Sequence, residues 1–438
     1  MQGHDYRRKL MTAEQAIGLI PSGAKLAMGL GVSQPPALLR ALADRAEAGD
    51  VGALRVYYLL ATAIAGETVL RHTLRDRIRA MSLFHGACER SLDALAAAAS
   101  LPAIDLMPTA FSQAPRLLSD WVGIDTLLTT VSPMDENGEF SFGTNTDYAL
   151  ACSRSAQRVI LEVNAAMPRV RGDCTVPLSR VTAIVENDRP LLNLPPAPRR
   201  AADDAIGAIV AGFAEDGDCL QMGIGALPDA VCAALGGHRR LGIHTELMTP
   251  GLAALMRAGV VDNSAKAIHR GRSVFTFAMG DTAFYEFLHD NPAIEAHPVD
   301  YVNDAAVIAR NPRMLSVNAT LQIDLQGACN SECVAGRQYS GAGGQLDFVR
   351  GASRSEGGRS IIACHATAAN GGVSRIVPRL DGPVTTPRND TQIVVTEHGW
   401  ADLRGKSLAE RARALILLAD PSFRADLDKA AWQAARNG

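Results

Sequence analysis

The chain has 438 residues, 47% of them hydrophobic and 20% charged, with a formal net charge of −3. That length is enough for roughly two to three domains, each able to bury its own core, and the composition excludes a disordered chain. Neither a basic stretch interleaved with aromatics nor an apolar run of membrane-spanning length is present, which argues against nucleic acid or a bilayer as partner.

At the N-terminus, MQGHDYRRKLMTAEQ carries basic residues but no apolar core behind them, so no signal peptide is expected and the cytoplasm is the default location. The eight cysteines and ten histidines show no metal-site spacing. Even Cys329 and Cys333, the closest pair, lack partners, so buried thiols and no metal are expected. Thr12 to Ile20 predicts a first helix with a Thr cap answered by Gln15. Ala24 to Gly29 then reads as a strand entering a glycine turn. Further on, RVILEV (Arg158 to Val163) and QIVVTE (Gln392 to Glu397) read as strands, whereas LAALMRAG and LAERARALILLAD read as helices. Such alternation predicts an α/β fold with largely parallel sheets. Between the halves, Asn193 to Arg200 (NLPPAPRR) is too proline-rich for a sheet, which divides the chain into 1–192, a linker 193–200, and 201–438.

One pattern occurs twice. GAKLAMGLG from Gly23 matches GDCLQMGIG from Gly217, and each copy leads to a helix and a further strand, LRVYYLL at Leu54 and LGIHTEL at Leu241. Two similar halves are expected. Aligned on Val56 and Ile243, the first copy has Leu59 where the second has Glu246. A framework residue would be wanted in both halves, so the asymmetry marks Glu246 as the candidate nucleophile, at a strand end before a Pro-Gly turn. Parallel sheets bind ligands at the carboxyl ends of their strands, where both glycine turns and Glu246 fall.

Nucleotide motifs fail on inspection. Gln34 and Pro228 stand where a dinucleotide fingerprint needs its third glycine, and Trp400 stands where a P-loop ending in Gly405-Lys406-Ser407 needs its first. No G-x-S-x-G elbow is present. A second glycine-rich run, Tyr339 to Ala352 (YSGAGGQLDFVRGA), continues into Ser355 to Ser360 and suits close approach of backbone N–H groups to a substrate oxygen. Asp135 and Glu136 read as turn chemistry. Glu397 and His398, as strand neighbours, should face opposite ways. Asn164 is a candidate to reach the active site from the first half.

The segments VSPMDENGEFSFGTNTD, VILEVNAAMPRVRG, QMGIGALPDAV, GIHTEL, SVNATLQIDLQG, SGAGGQLDFVRGA and VVTEHGWADLRGKS occur in this order from Val131 onward. Through them the chain resembles the acetyl-CoA hydrolase/transferase family of class I CoA-transferases, in particular its 4-hydroxybutyrate and butyryl-CoA:acetate branch. The resemblance implies two similar α/β domains with the active site at their interface, and Glu246 as catalytic glutamate. Oxyanion-holding backbone amides would come from Ile224, Gly225, Ala226, Gly343 and Gly344. Coenzyme A contacts would come from Gln221, Met222, Gly223, Ile224, Gly225 and Ala226, with Gly341, Gly343, Gly344 and Asn318. It further implies a homo-oligomer that moves coenzyme A between acyl-CoA and small carboxylic acids, with coenzyme A as substrate and covalent intermediate and no permanently bound cofactor. Acyl-CoA hydrolysis and a non-catalytic acyl-CoA-binding subunit are the alternatives. The acid partner stays open, with His85, Arg90, Gln113 and Arg116 as candidate readers in the first half.

Overall fold

The computed structural model describes residues 2–102 and 104–436. The chain forms two compact units. The first comprises Met1–Leu194 with Val274–Val302, and the second Pro195–Ser273 with Asn303–Gly438. The proline-rich segment between them has no regular structure. The chain passes from the first unit to the second between Leu194 and Pro195, and Val274–Val302 sits with the first unit. The reason is backbone pairing. Phe277 bridges Asn145, Thr146 N–H donates to Thr276 O at 3.0 Å, and Glu295 pairs with Arg171 in parallel register.

The first unit is built on a seven-stranded sheet. Its strands are β1 (Lys25–Met28), β2 (Leu54–Tyr58), β3 (Ile78–Ser82), β4 (Asp105–Leu106), β5 (Thr126–Val131), β6 (Arg158–Val163) and β7 (Ala183–Glu186), in spatial order β7-β6-β5-β1-β2-β3-β4. Every adjacent pair is parallel. All of β5 is buried, as befits a sheet covered on both faces. Before β1, the helix Ala13–Gly18 opens with the expected capping box between Thr12 and Gln15.

The second unit carries β8 (Cys219–Met222), β9 (Gly242–Ile243), β10 (Met314–Ala319), β11 (Arg359–Ala363), β12 (Ile393–Thr396) and β13 (Gly399–Asp402), in order β9-β8-β10-β11-β12-β13. All pairs are parallel except the final hairpin. The internal repeat is visible in the register. Leu26 lies opposite Val56 in the first sheet, and Leu220 lies opposite Ile243 in the second. Those are the positions on which the two sequence copies align.

Strand β9 is at the margin of its sheet, so the N–H and C=O of Ile243 point away from β8 and need other partners. Side chains supply them. Ile243 N–H donates to Asn263 Oδ1 at 2.9 Å, and the Nζ of buried Lys266 donates to Ile243 O at 2.8 Å. Asn263→Ala would leave a buried donor unsatisfied and should lower unfolding stability by about 1–3 kcal/mol, measured by urea denaturation.

Candidate active site

After β9 the chain leaves regular strand geometry, and Glu246 occupies a bend before the short strand Leu247–Met248. The Thr245 side chain holds that bend to the end of β8. Its Oγ1 lies 3.3 Å from Met222 O and 3.1 Å from Leu247 O, and accepts from Met222 N–H at 3.4 Å. The expected Pro-Gly turn after Glu246 is instead the start of helix α2 (Pro250–Arg257). Thr249 caps it, accepting from Leu252 N–H, and Pro250 sits where a missing N–H is harmless.

Because Met222 is tied to Thr245, the turn that follows β8 leaves the sheet beside Glu246. In that stretch Gln221 and Met222 are buried strand residues, whereas Gly223, Ile224, Gly225 and Ala226 reach solvent, Ile224 at 50% exposure. Gly225 has φ +115° and ψ −178°, a backbone state barred to other residues, and it caps helix α1 (Ala226–Ala234). The first N–H groups of that helix have no partner within the helix. Asn318, at the carboxyl end of β10, donates from Nδ2 to Gln221 Oε1 at 3.2 Å and to Ser316 Oγ at 2.9 Å. This side-chain cluster fixes the rim between β8 and β10.

The second glycine run divides in two. Its first part ends at Gly344, the cap of helix α3 (Gln345–Arg354), and lies against Glu246. A Cβ built on Gly344 would collide with Glu246 Oε2 and Asn303 Nδ2, so only glycine fits. Gly341 is buried and Gly343 is partly exposed in the same loop. The second part, Gly357-Gly358, belongs to the turn from α3 into β11, past the far end of that helix, so it lies apart from Gly344.

Asn303 completes the arrangement and was not legible in the sequence. It is 1% exposed, and its Nδ2 donates to Glu246 Oε2 at 2.6 Å and to Asp347 Oδ2 at 3.4 Å. Nothing in Val302-Asn303-Asp304 signals this, since Asp304 simply caps the next short helix. The Glu246 carboxyl is pushed up to about 7, chiefly by burial. Asp347's charge adds to the rise, while the Asn303 amide and the Gly344 N–H oppose it.

Other candidates go elsewhere. Arg350 is exposed and pairs with Asp390 at 3.2 Å. Asn164 is engaged within the first unit, donating to Arg189 O and accepting from Ala166 N–H. Glu397 accepts from Ala366 N–H, and His398 faces Asp420, so they form no pair. Asp135 makes the expected turn, accepting from Asn137 and Glu139 N–H, and also an ion pair with Arg169. In the first unit His85 is buried against Asp93, whereas Gln113 and Arg116 are exposed. Among the described residues, no helix is long and apolar enough to cross a membrane.

A nearly buried carboxyl, walled by a glycine loop and facing an amide donor, is a site for acyl chemistry. The N- and C-terminal domain models of the acetyl-CoA hydrolase/transferase family match residues 1–194 and 280–431. The chain belongs to that family and is an enzyme of the CoA-transferase class. It is 40% identical over 429 residues (98% of this chain, 96% of the other) to the succinyl-CoA:cyclohexane-1-carboxylate CoA transferase of Geobacter metallireducens. It is 41% identical over 425 residues (96% and 97%) to the 4-hydroxybutyrate coenzyme A transferase of Clostridium kluyveri. The crystal structure of RipA from Yersinia pestis, 52% identical, superposes over 99% of each chain with a TM-score of 0.96.

Two outcomes follow from this geometry. Gly344→Ala should displace Glu246 and cut activity by at least about tenfold, checked by steady-state assay beside a melting curve. Folding makes Glu246 harder to ionise, so the wild-type chain loses stability as pH rises from the ordinary carboxylate range through about 7. Glu246→Gln, which cannot ionise, should show no Tm advantage below about pH 4. That advantage should grow towards pH 7 and then level off.

Proposed function

We propose that this enzyme moves coenzyme A between small carboxylic acids by a ping-pong reaction through Glu246. The observation that carries the reading is the Glu246 carboxylate held 2.6 Å from Asn303 Nδ2 and against the Gly344 wall. A carboxylate is a weak nucleophile in water, but a thioester is an activated acyl group, and removal of water sharpens the attack.

In the first step a Glu246 oxygen attacks the thioester carbonyl. The C–S bond breaks, giving an acyl-glutamyl anhydride and the coenzyme A thiolate. The thiolate then attacks the glutamyl carbonyl, releasing the original acid as its carboxylate and leaving a glutamyl-CoA thioester. A second carboxylate enters and the steps run in reverse. Electrons balance without an oxidant, and no proton need be moved.

Negative charge builds on a carbonyl oxygen in each attack. The donors assigned to it are the N–H groups of Ile224, Gly225, Ala226, Gly343 and Gly344, together with the Asn303 amide. Loss of one such donor raises the barrier by about 3–4 kcal/mol. The pantetheine arm would run over the exposed Gly223–Ala226 turn and the rim at Asn318, with Gly341 shaping the second loop. The buried side chains of Gln221 and Met222 would serve that rim from within. The names of the relatives, from 4-hydroxybutyrate to cyclohexane-1-carboxylate, suggest a small carboxylic acid as acceptor. The setting proposed is a homo-oligomeric, cytoplasmic enzyme.

Glu246→Ala should abolish transfer, and Glu246→Asp should fall severely because the carboxylate retreats by one methylene. Acyl-CoA followed by borohydride should leave a mass change on Glu246 and on no other residue. Full activity of Glu246→Ala would end the proposal. In the free enzyme kcat/KM should rise with pH as Glu246 ionises, with an acid limb near 7. Coenzyme A release without an added acid, at the rate seen with acetate, would instead identify a hydrolase.

A further inference from the structure

The Asn303 amide poses a problem of orientation. Its two ends are nearly the same size, so only hydrogen-bond partners decide which faces Glu246. Oδ1 is buried and makes no hydrogen bond, so nothing on that side fixes it. Nδ2 lies between two carboxylates, 2.6 Å from Glu246 Oε2 and 3.4 Å from Asp347 Oδ2. In the resting enzyme both acceptors hold the NH₂ end in place.

That balance changes during the reaction proposed above. Once Glu246 is an anhydride or thioester it carries no charge, and its carbonyl is a much weaker acceptor. Asp347 is then the remaining carboxylate at the amide. Its position suits the task. It lies in the first turn of α3, where the helix dipole favours a negative charge, and Phe348 beside it is buried with its ring 6.4 Å from that of His244. Arg350, one turn further on, is paired with Asp390 instead.

We propose that Asp347 is a positioning residue that keeps Asn303 Nδ2 aimed at the glutamyl carbonyl while Glu246 is esterified. Asn303 then meets the oxyanion formed when a thiolate or carboxylate attacks the glutamyl carbon. Without Asp347 the amide turns over freely, and its oxygen faces the developing charge half the time or more. The defect therefore falls on the steps that consume the glutamyl intermediate rather than on acyl-CoA binding.

The inference rests on Glu246 being the covalent carrier, and the experiment separates the two. Wild type, Asp347→Asn, Asp347→Ala and Asp347→Glu are loaded with acyl-CoA, and the glutamyl-CoA adduct is followed by mass spectrometry after a carboxylate is added. Asp347→Asn and Asp347→Ala should both form and discharge the adduct roughly ten- to a hundredfold more slowly, since each step passes through attack on the glutamyl carbon, with KM for acyl-CoA little changed. Asp347→Glu, which keeps the charge, should recover part of the rate. Discharge at the wild-type rate in Asp347→Asn and Asp347→Ala overturns the role of Asp347. So does a loss that follows a fall in Tm in every variant, Asp347→Glu included, because that is the behaviour of disturbed packing at the start of α3. Failure of the wild-type enzyme to form any adduct removes Glu246 as carrier, and this inference with it.

Discussion

The hydrogen bond from Asn303 to Glu246, made where little water reaches, is the interaction on which the rest of the site depends. Burial alone would leave the carboxyl protonated and inert at neutral pH. The amide and the Gly344 N–H offset part of that penalty, and the balance leaves it near 7. A fully solvated glutamate would ionise readily but would carry a hydration shell between itself and a thioester. The site holds a compromise between a carboxylate too comfortable to react and one too costly to form.

The scaffold serves that compromise by restricting movement. Thr245 ties the bend to β8, side chains close the outer face of β9, and Gly344 lets α3 begin against the carboxylate. Each contact is made by an element with its own reason to exist, a strand margin or a helix start. The bend that carries Glu246 therefore needs little structure of its own.

Much of this could be read from the chain alone. The duplicated Met-Gly-x-Gly turn and the strands that follow it predicted two like sheets, because glycine turns and β-branched runs are local signals. The contrast of Leu59 with Glu246 singled out the carboxylate proposed as nucleophile, because an otherwise repeated pattern differs there. Asn303 escaped because its role depends on a fold-back over fifty residues, and an asparagine before a helix cap looks like any turn. The 357–358 glycines misled in the opposite way, since a glycine near a functional loop in sequence can lie past the far end of a helix. The placement of Val274–Val302 with the first unit was equally invisible, because strand pairing across more than a hundred residues leaves no mark in local composition.

The side chains that close β9 have a consequence beyond catalysis. A bare sheet margin is a template on which another chain can lay a strand, whether a partner, a misfolded neighbour or a growing aggregate. Asn263 and Lys266 occupy the outward donor and acceptor of Ile243, so this border of the second sheet cannot recruit one. The bend at Glu246 thus follows a strand that is closed to lateral growth.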